Sequence, residues 1–249
     1  EDGKLVIRED YLSQQPETTG TESVTDASDP AINYDGTALA CLGDTGRSLY
    51  FLSGGKGQYL VKNKKMTAPS FDSFGWLWVA ESDGAVRAYN TASTNEKERS
   101  KGIEIPVSWR SGMTFSSLRI SHDGARVVVV GTRDGTAAVV MSGVVRDSSG
   151  TPKGFTEPVR VTSSITPRTA VWAGEQNLVV VNDKTGESEV TTLSGEETKF
   201  DRLDGVKSVS AAGNTSNMLA HRSDGSCYVL EERGWNRLNT STREMSFAG

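Results

Sequence analysis

Five turn markers recur at intervals of roughly 40 to 50 residues, each with a short apolar run before it and a stronger one after it. No stretch of 12 residues keeps a helical period, and Asp-Gly pairs punctuate the apolar runs. These observations predict an all-β protein: a β-propeller counted as five four-stranded blades, with six blades as the alternative count. The markers are Asn33-Tyr34-Asp35-Gly36, Asp72-Ser73-Phe74-Gly75, Ser121-His122-Asp123-Gly124, Trp172-Ala173-Gly174 and Ala212-Gly213-Asn214.

In chain order, residues 4–8 alternate like a strand. Residues 14–28 are polar, rich in Thr, Ser and Glu, and include Pro16 and Gly20. Residues 1–27 therefore read as a strand and linker from an upstream region, and 28–249 as the propeller domain. The first unit is expected to hold strands near 31–33, 37–42, 47–52 and 58–62, and the second near 67–71, 76–80, 85–89 and 103–108. The third has 115–121, 125–130, 136–145 and 156–162, and the fourth 168–173, 176–182, 188–193 and 198–203. The fifth has 206–211, 218–222, 226–231 and 235–239. Asp83-Gly84, Asp134-Gly135 and Asp224-Gly225 fall between second and third strands, where a two-residue hairpin needs the positive backbone angles that Asp-Gly tolerates. The second strands (76–79, 127–130, 178–181) are the most apolar, so both of their faces are expected to pack. Trp76, Trp78 and Trp172 are assigned to packing between blades.

Composition narrows the function classes. A chain of 249 residues can bury a full core without disulfides. Its net charge of −5 argues against a nucleic-acid binder of the strongly basic kind. No run of 18 apolar residues is present, so no transmembrane helix is expected. The chain starts Glu1-Asp2-Gly3 without Met and is expected to be a piece of a longer protein. Cys41 and Cys227 fall in the first and last units, which are neighbours in a closed ring. They read as buried small apolar residues, with a disulfide across the seam as the alternative.

Enzymatic signatures are weak. A glycosidase needs two carboxylates facing the sugar, and Asp29 and Asp72 are the only acids on or beside the innermost strands. Asp72 is better read as bonding the backbone of its own turn. His122 sits in a turn, His221 ends a strand, and no nucleophile elbow accompanies them. No zinc or calcium spacing occurs, so neither a metal nor any other cofactor is expected. The run Gly54-Gly55-Lys56-Gly57 lacks the following Ser or Thr and helix of a phosphate loop, and reads as a hairpin.

In a propeller, the connections between blades share one face with those between second and third strands. The between-blade connections hold Lys64, Lys65, Arg110, Arg168 and Lys207 against one acid, Asp204, with Trp109 at the rim. Together these form a candidate positive mouth for an acidic protein surface or an anionic envelope component. The inserts 90–102 and 146–154 fall on the opposite face, and the first is expected to be a solvated loop.

Three segments carry a family resemblance: 68–78, running Ala68, Pro69, Ser70, Phe71, Asp72, Ser73, Phe74, Gly75, Trp76, Leu77, Trp78; then 118–127 around Ser121-His122-Asp123-Gly124; then 143–152 around Val144-Val145-Arg146-Asp147. In order and spacing they resemble the C-terminal β-propeller of the actinobacterial LpqB lipoprotein family. The resemblance covers roughly residues 30–240. It implies a lipid anchor at the outer face of the cytoplasmic membrane, facing the cell wall, and a smaller domain between anchor and propeller. It also implies an accessory role beside the extracellular domain of a two-component sensor kinase of the MtrB type, in cell-envelope homeostasis and division. No catalytic residue carries over. The expected function is non-catalytic protein interaction, with small-ligand or wall-glycan binding as the alternative and glycoside hydrolysis third.

Overall fold

The computed structural model describes residues 24–161, 163–182, 185–193, 203–211, 218–231 and 234–241. They form five antiparallel sheets that follow one another along the chain as the blades of a propeller. Blade one is β1 (Ser28–Ile32), β2 (Ala38–Gly43), β3 (Ser48–Ser53) and β4 (Lys56–Val61). Blade two is β5 (Ser70–Phe71), β6 (Trp76–Ala80), β7 (Val86–Asn90) and β8 (Ile103–Ile105). Blade three is β9 (Thr114–Ile120), β10 (Arg126–Arg133), β11 (Thr136–Arg146), β12 (Pro152–Phe155) and β13 (Val159–Val161). Blade four has three described strands, β14 (Pro167–Ala173), β15 (Asn177–Asn182) and β16 (Ser188–Thr192). Blade five is β17 (Val206–Ala211), β18 (Met218–Arg222), β19 (Ser226–Glu231) and β20 (Gly234–Ser241). The strand at 4–8, the marker Ala212-Gly213-Asn214 and most of the strand at 198–203 lie outside the described residues.

The second strands carry the core. Every residue of β2 and β6 is buried, as are Val127 to Val130 in β10 and Leu178 to Val181 in β15. Their two faces feed two different blade interfaces. Trp76 and Trp78 pack with Leu118, Ile120, Val127 and Val129 between blades two and three. From the other face of β6, Leu77 and Val79 join Ala40, Leu42 and Phe51 of blade one. Trp172 packs with Val128 and Val130 between blades three and four. Continuous apolar strands are what two-sided burial requires. Cys41 and Cys227 are both buried, and no disulfide joins them.

Asp72 shows why the second marker resembles a fixed motif. One carboxylate oxygen, Oδ1, accepts from the backbone N–H groups of Phe74 and Trp76, both at 2.9 Å. The other, Oδ2, accepts from Trp78 Nε1 at 2.8 Å and from Arg146 Nη2 at 2.6 Å. Arg146 also donates to the carbonyls of Gly124 and Gly150, and lies over the rings of Phe74 (4.4 Å) and Trp78 (5.8 Å). The Asp72 side chain is fully buried and that of Arg146 nearly so, which pins the turns of blades two and three together. A Cβ on Gly124 would stand 2.9 Å from Arg146 Nη2 and from Phe74, at a backbone φ of +68°. Both the crowding and the left-handed conformation select glycine there.

Four expectations need correction. The insert 90–102 contains a helix, α1 (Glu96–Lys101), whose N-cap Asn95 accepts from the Lys97 N–H. Acidic residues in its first turn and basic ones in its last suit the helix dipole. Of the three Asp-Gly pairs, only Asp134-Gly135 has positive φ at both residues (51° and 76°). At Asp83 and Asp224 the carboxylate instead accepts the N–H two residues on, so those turns are longer. The fourth strand of blade three is split, β12 and β13 pairing with different halves of the eleven-residue β11. The inner strand of blade two is cut to two residues, because Pro69 has no N–H to give the ladder.

Candidate functional site

The inner strands of blades one, three, four and five, with residues 66–68 just before β5 of blade two, line a cavity of about 180 Å³. Its charged lining residues are Asp29, Arg119, Arg168 and Lys207, three cations to one carboxylate in a chain whose net charge is −5. Hydroxyls of Thr67, Ser116, Ser117, Thr169 and Ser208 complete a polar wall.

The two arginines are positioned by backbone carbonyls of the neighbouring blade. Arg119 of β9 donates through Nη1 to the carbonyls of Ala68 (2.7 Å) and Pro69 (2.9 Å), where the inner strand of blade two is interrupted. Arg168 of β14 donates through Nη2 to the carbonyls of Val206 (3.0 Å) and Lys207 (2.8 Å) in β17. Ser116 closes the third step, donating to the Arg168 carbonyl at 2.9 Å. Carbonyl acceptors orient a guanidinium without cancelling its charge.

Of the six candidate residues read from the sequence, the structure brings Arg168 and Lys207 together at the axis. Lys64, Lys65, Trp109 and Arg110 stand elsewhere. Lys64 pairs with the buried carboxylate of Glu81 at 2.7 Å. Arg87 binds the other Glu81 oxygen at 2.7 Å; burial pulls its pKa down, and the bond and charge of Glu81 outweigh that and raise it. Lys65 is exposed. Arg110 lies over Gly84, where a side chain would crowd it. Trp109, half-buried, donates from Nε1 to the Thr156 carbonyl (3.1 Å) and packs between the rings of Phe115 and Phe155.

Arg119 and Glu81 escaped the reading of the sequence. The signal lies in the bases of the inner strands and not in their acids: Arg119, Arg168 and Lys207 stand on three successive blades. Among the described residues no group of three or more His, Cys, Asp or Glu side chains could hold a metal ion. No described helix is long and apolar enough to cross a membrane. The cavity lining offers one carboxylate, where glycoside hydrolysis uses two.

Comparison with known proteins places this geometry in a family. Among solved structures the chain is similar to Chaetomium thermophilum Raptor (TM-score 0.55, 13% identity, 91% of this chain and 22% of that one). It is also similar to Kuenenia stuttgartiensis hydrazine synthase (TM-score 0.55, 15% identity, 90% of this chain and 71% of that one). At such identities the likeness is one of fold. Among curated proteins it is 27% identical over 171 residues to Lipoprotein LpqB of Streptomyces avermitilis. It is 28% identical over 176 residues to Lipoprotein LpqB of Streptomyces coelicolor. Each match takes in 63% of this chain and 27% of the relative's length. The family model described as the Lipoprotein LpqB beta-propeller domain matches residues 4–245, and the chain belongs to that family.

Proposed function

We propose that this propeller is the non-catalytic, partner-binding domain of a lipoprotein held at the outer face of the cytoplasmic membrane. Its partner in this reading is the extracellular domain of a two-component sensor kinase of the MtrB type, in cell-envelope homeostasis and division. The observation that carries the reading is the family match over residues 4–245. Two further features support it: a single carboxylate among the described residues lining the axial cavity, and cations on the connections between blades, Lys65 and Arg110 among them. Stacking of a wall glycan has less support. Trp172 is 7% exposed and donates to the Arg119 carbonyl, and Trp109 is committed to the boundary of blades two and three.

The test is direct binding between this chain and the purified kinase extracellular domain, repeated at several salt concentrations. Wild type should bind with an affinity that falls as salt rises. A Lys65→Ser/Arg110→Ser variant, which leaves the Lys64–Glu81 pair intact, should bind about tenfold or more weakly. No binding by wild type would overturn the partner; an unchanged affinity in the variant would overturn the rim as the docking surface.

A further inference from the structure

We infer that the axial cavity is a binding site for a small dianionic oxyanion: a phosphate group, free or as a compact monoester. Three features of the cavity select that chemistry. Its charged lining carries two more positive than negative charges, which matches a dianion better than a monocarboxylate. The hydrogen bonds of Arg168 engage Nη2 alone, so a guanidinium already fixed at the cavity wall keeps the donors of Nε and Nη1 for an oxyanion. Among the lining hydroxyls, those of Ser116, Ser117 and Thr169 already donate within the protein, which leaves Thr67 and Ser208, on blades two and five, as neutral donors between the charged groups.

Size excludes the larger alternatives. Pockets that enclose drug-sized ligands run from about 300 to 1,000 Å³. At about 180 Å³ this one admits a phosphate with a small substituent and cannot enclose an oligosaccharide. The inference does not depend on the sensor-kinase reading: it concerns this chain alone and a different part of the molecule from Lys64, Lys65 and Arg110.

The experiment is titration of inorganic phosphate into the isolated chain, followed by calorimetry at constant ionic strength, with wild type and three variants. Lys207→Gln removes an exposed cation from the lining, and its fold is expected to be unaffected. Asp29→Asn removes the one carboxylate at a residue with φ of 50°, a conformation Asn adopts as readily as Asp. Lys65→Ser is the surface control. Saturable binding to wild type is expected, weakened about fivefold or more by Lys207→Gln and tightened by a similar factor in Asp29→Asn. Lys65→Ser should match wild type. A methyl phosphate arm then separates the two sources: binding as tight as that of inorganic phosphate points to a monoester, and much weaker binding to the free ion. Either supports the site. Absence of saturable binding up to roughly 20 mM phosphate, a millimolar limit well below useful affinity, overturns the inference. So does equal weakening by Lys207→Gln and Lys65→Ser, which would mean diffuse attraction to surface charge.

Discussion

Arg146 and Arg168 each reach from one blade to the next, and they end in opposite settings. Arg146 meets a buried carboxylate, two carbonyls and two aromatic faces, so both its charge and its donors are satisfied within the protein. Arg168 meets two carbonyls through one nitrogen, beside a cavity where cations outnumber acids. A guanidinium closed by its counter-charge is a fastener between blades. One held by carbonyls is fastened as well, and still carries a field that a solute can use. The same residue type therefore marks structure on one side of the propeller and a candidate site at its axis.

The largest effect should come from breaking the fastener. Asp72→Ala strands the nearly buried Arg146 and leaves the Trp78 indole N–H and two turn N–H groups without their acceptor. A loss of about 3–5 kcal/mol in urea unfolding is expected. Arg146→Met should cost less, since Asp72 keeps three other donors. Arg168→Gln comes next, at about 1–3 kcal/mol, because it forfeits two charge-assisted bonds to β17. If Arg168→Gln proved as costly as Asp72→Ala, the contrast between the two settings would fail.

A pH-dependent loss should follow on the alkaline side. Burial, with a smaller push from the charge of Asp29, raises the Cys41 thiol from 9.0 to about 12. Burial likewise raises the Tyr89 hydroxyl from 10.0 to about 12. The folded state therefore keeps protons that the unfolded chain releases. Stability from both groups is complete below about pH 9 and drains away as pH rises toward 12. Urea melts between pH 8 and 11 should show the decline, and Cys41→Ala with Tyr89→Phe should flatten it. The smallest effect is that of Lys207→Gln in the absence of ligand, within about 0.5 kcal/mol of wild type, as for an exposed residue away from the core.

The fold was legible in the sequence because its signals are local. Turn markers, apolar second strands and the Trp76 and Trp78 pattern each lie within a few residues of what they specify. Asp72 was half legible: its bonds to its own turn follow from chemistry nearby, but Arg146 lies 74 residues away. The helix α1 is written in its Asn95 cap and its ordered charges, but six residues are too few to show a period. The site was least legible. Lys64 reads as a free cation until Glu81 is seen beside it, and Arg119 acquires meaning only when β9 is set against the broken inner strand of blade two. Which charges are cancelled and which remain is decided by partners brought together from different blades.

The central claim, that the cation-rich axial cavity holds a dianion, is tested most directly by thermal unfolding of wild type and Lys207→Gln with and without inorganic phosphate. Ligand that binds only the folded state must raise the midpoint. The two proteins should melt together without phosphate, and phosphate should raise wild type well above Lys207→Gln. Equal shifts in both, or none in either, would contradict the account.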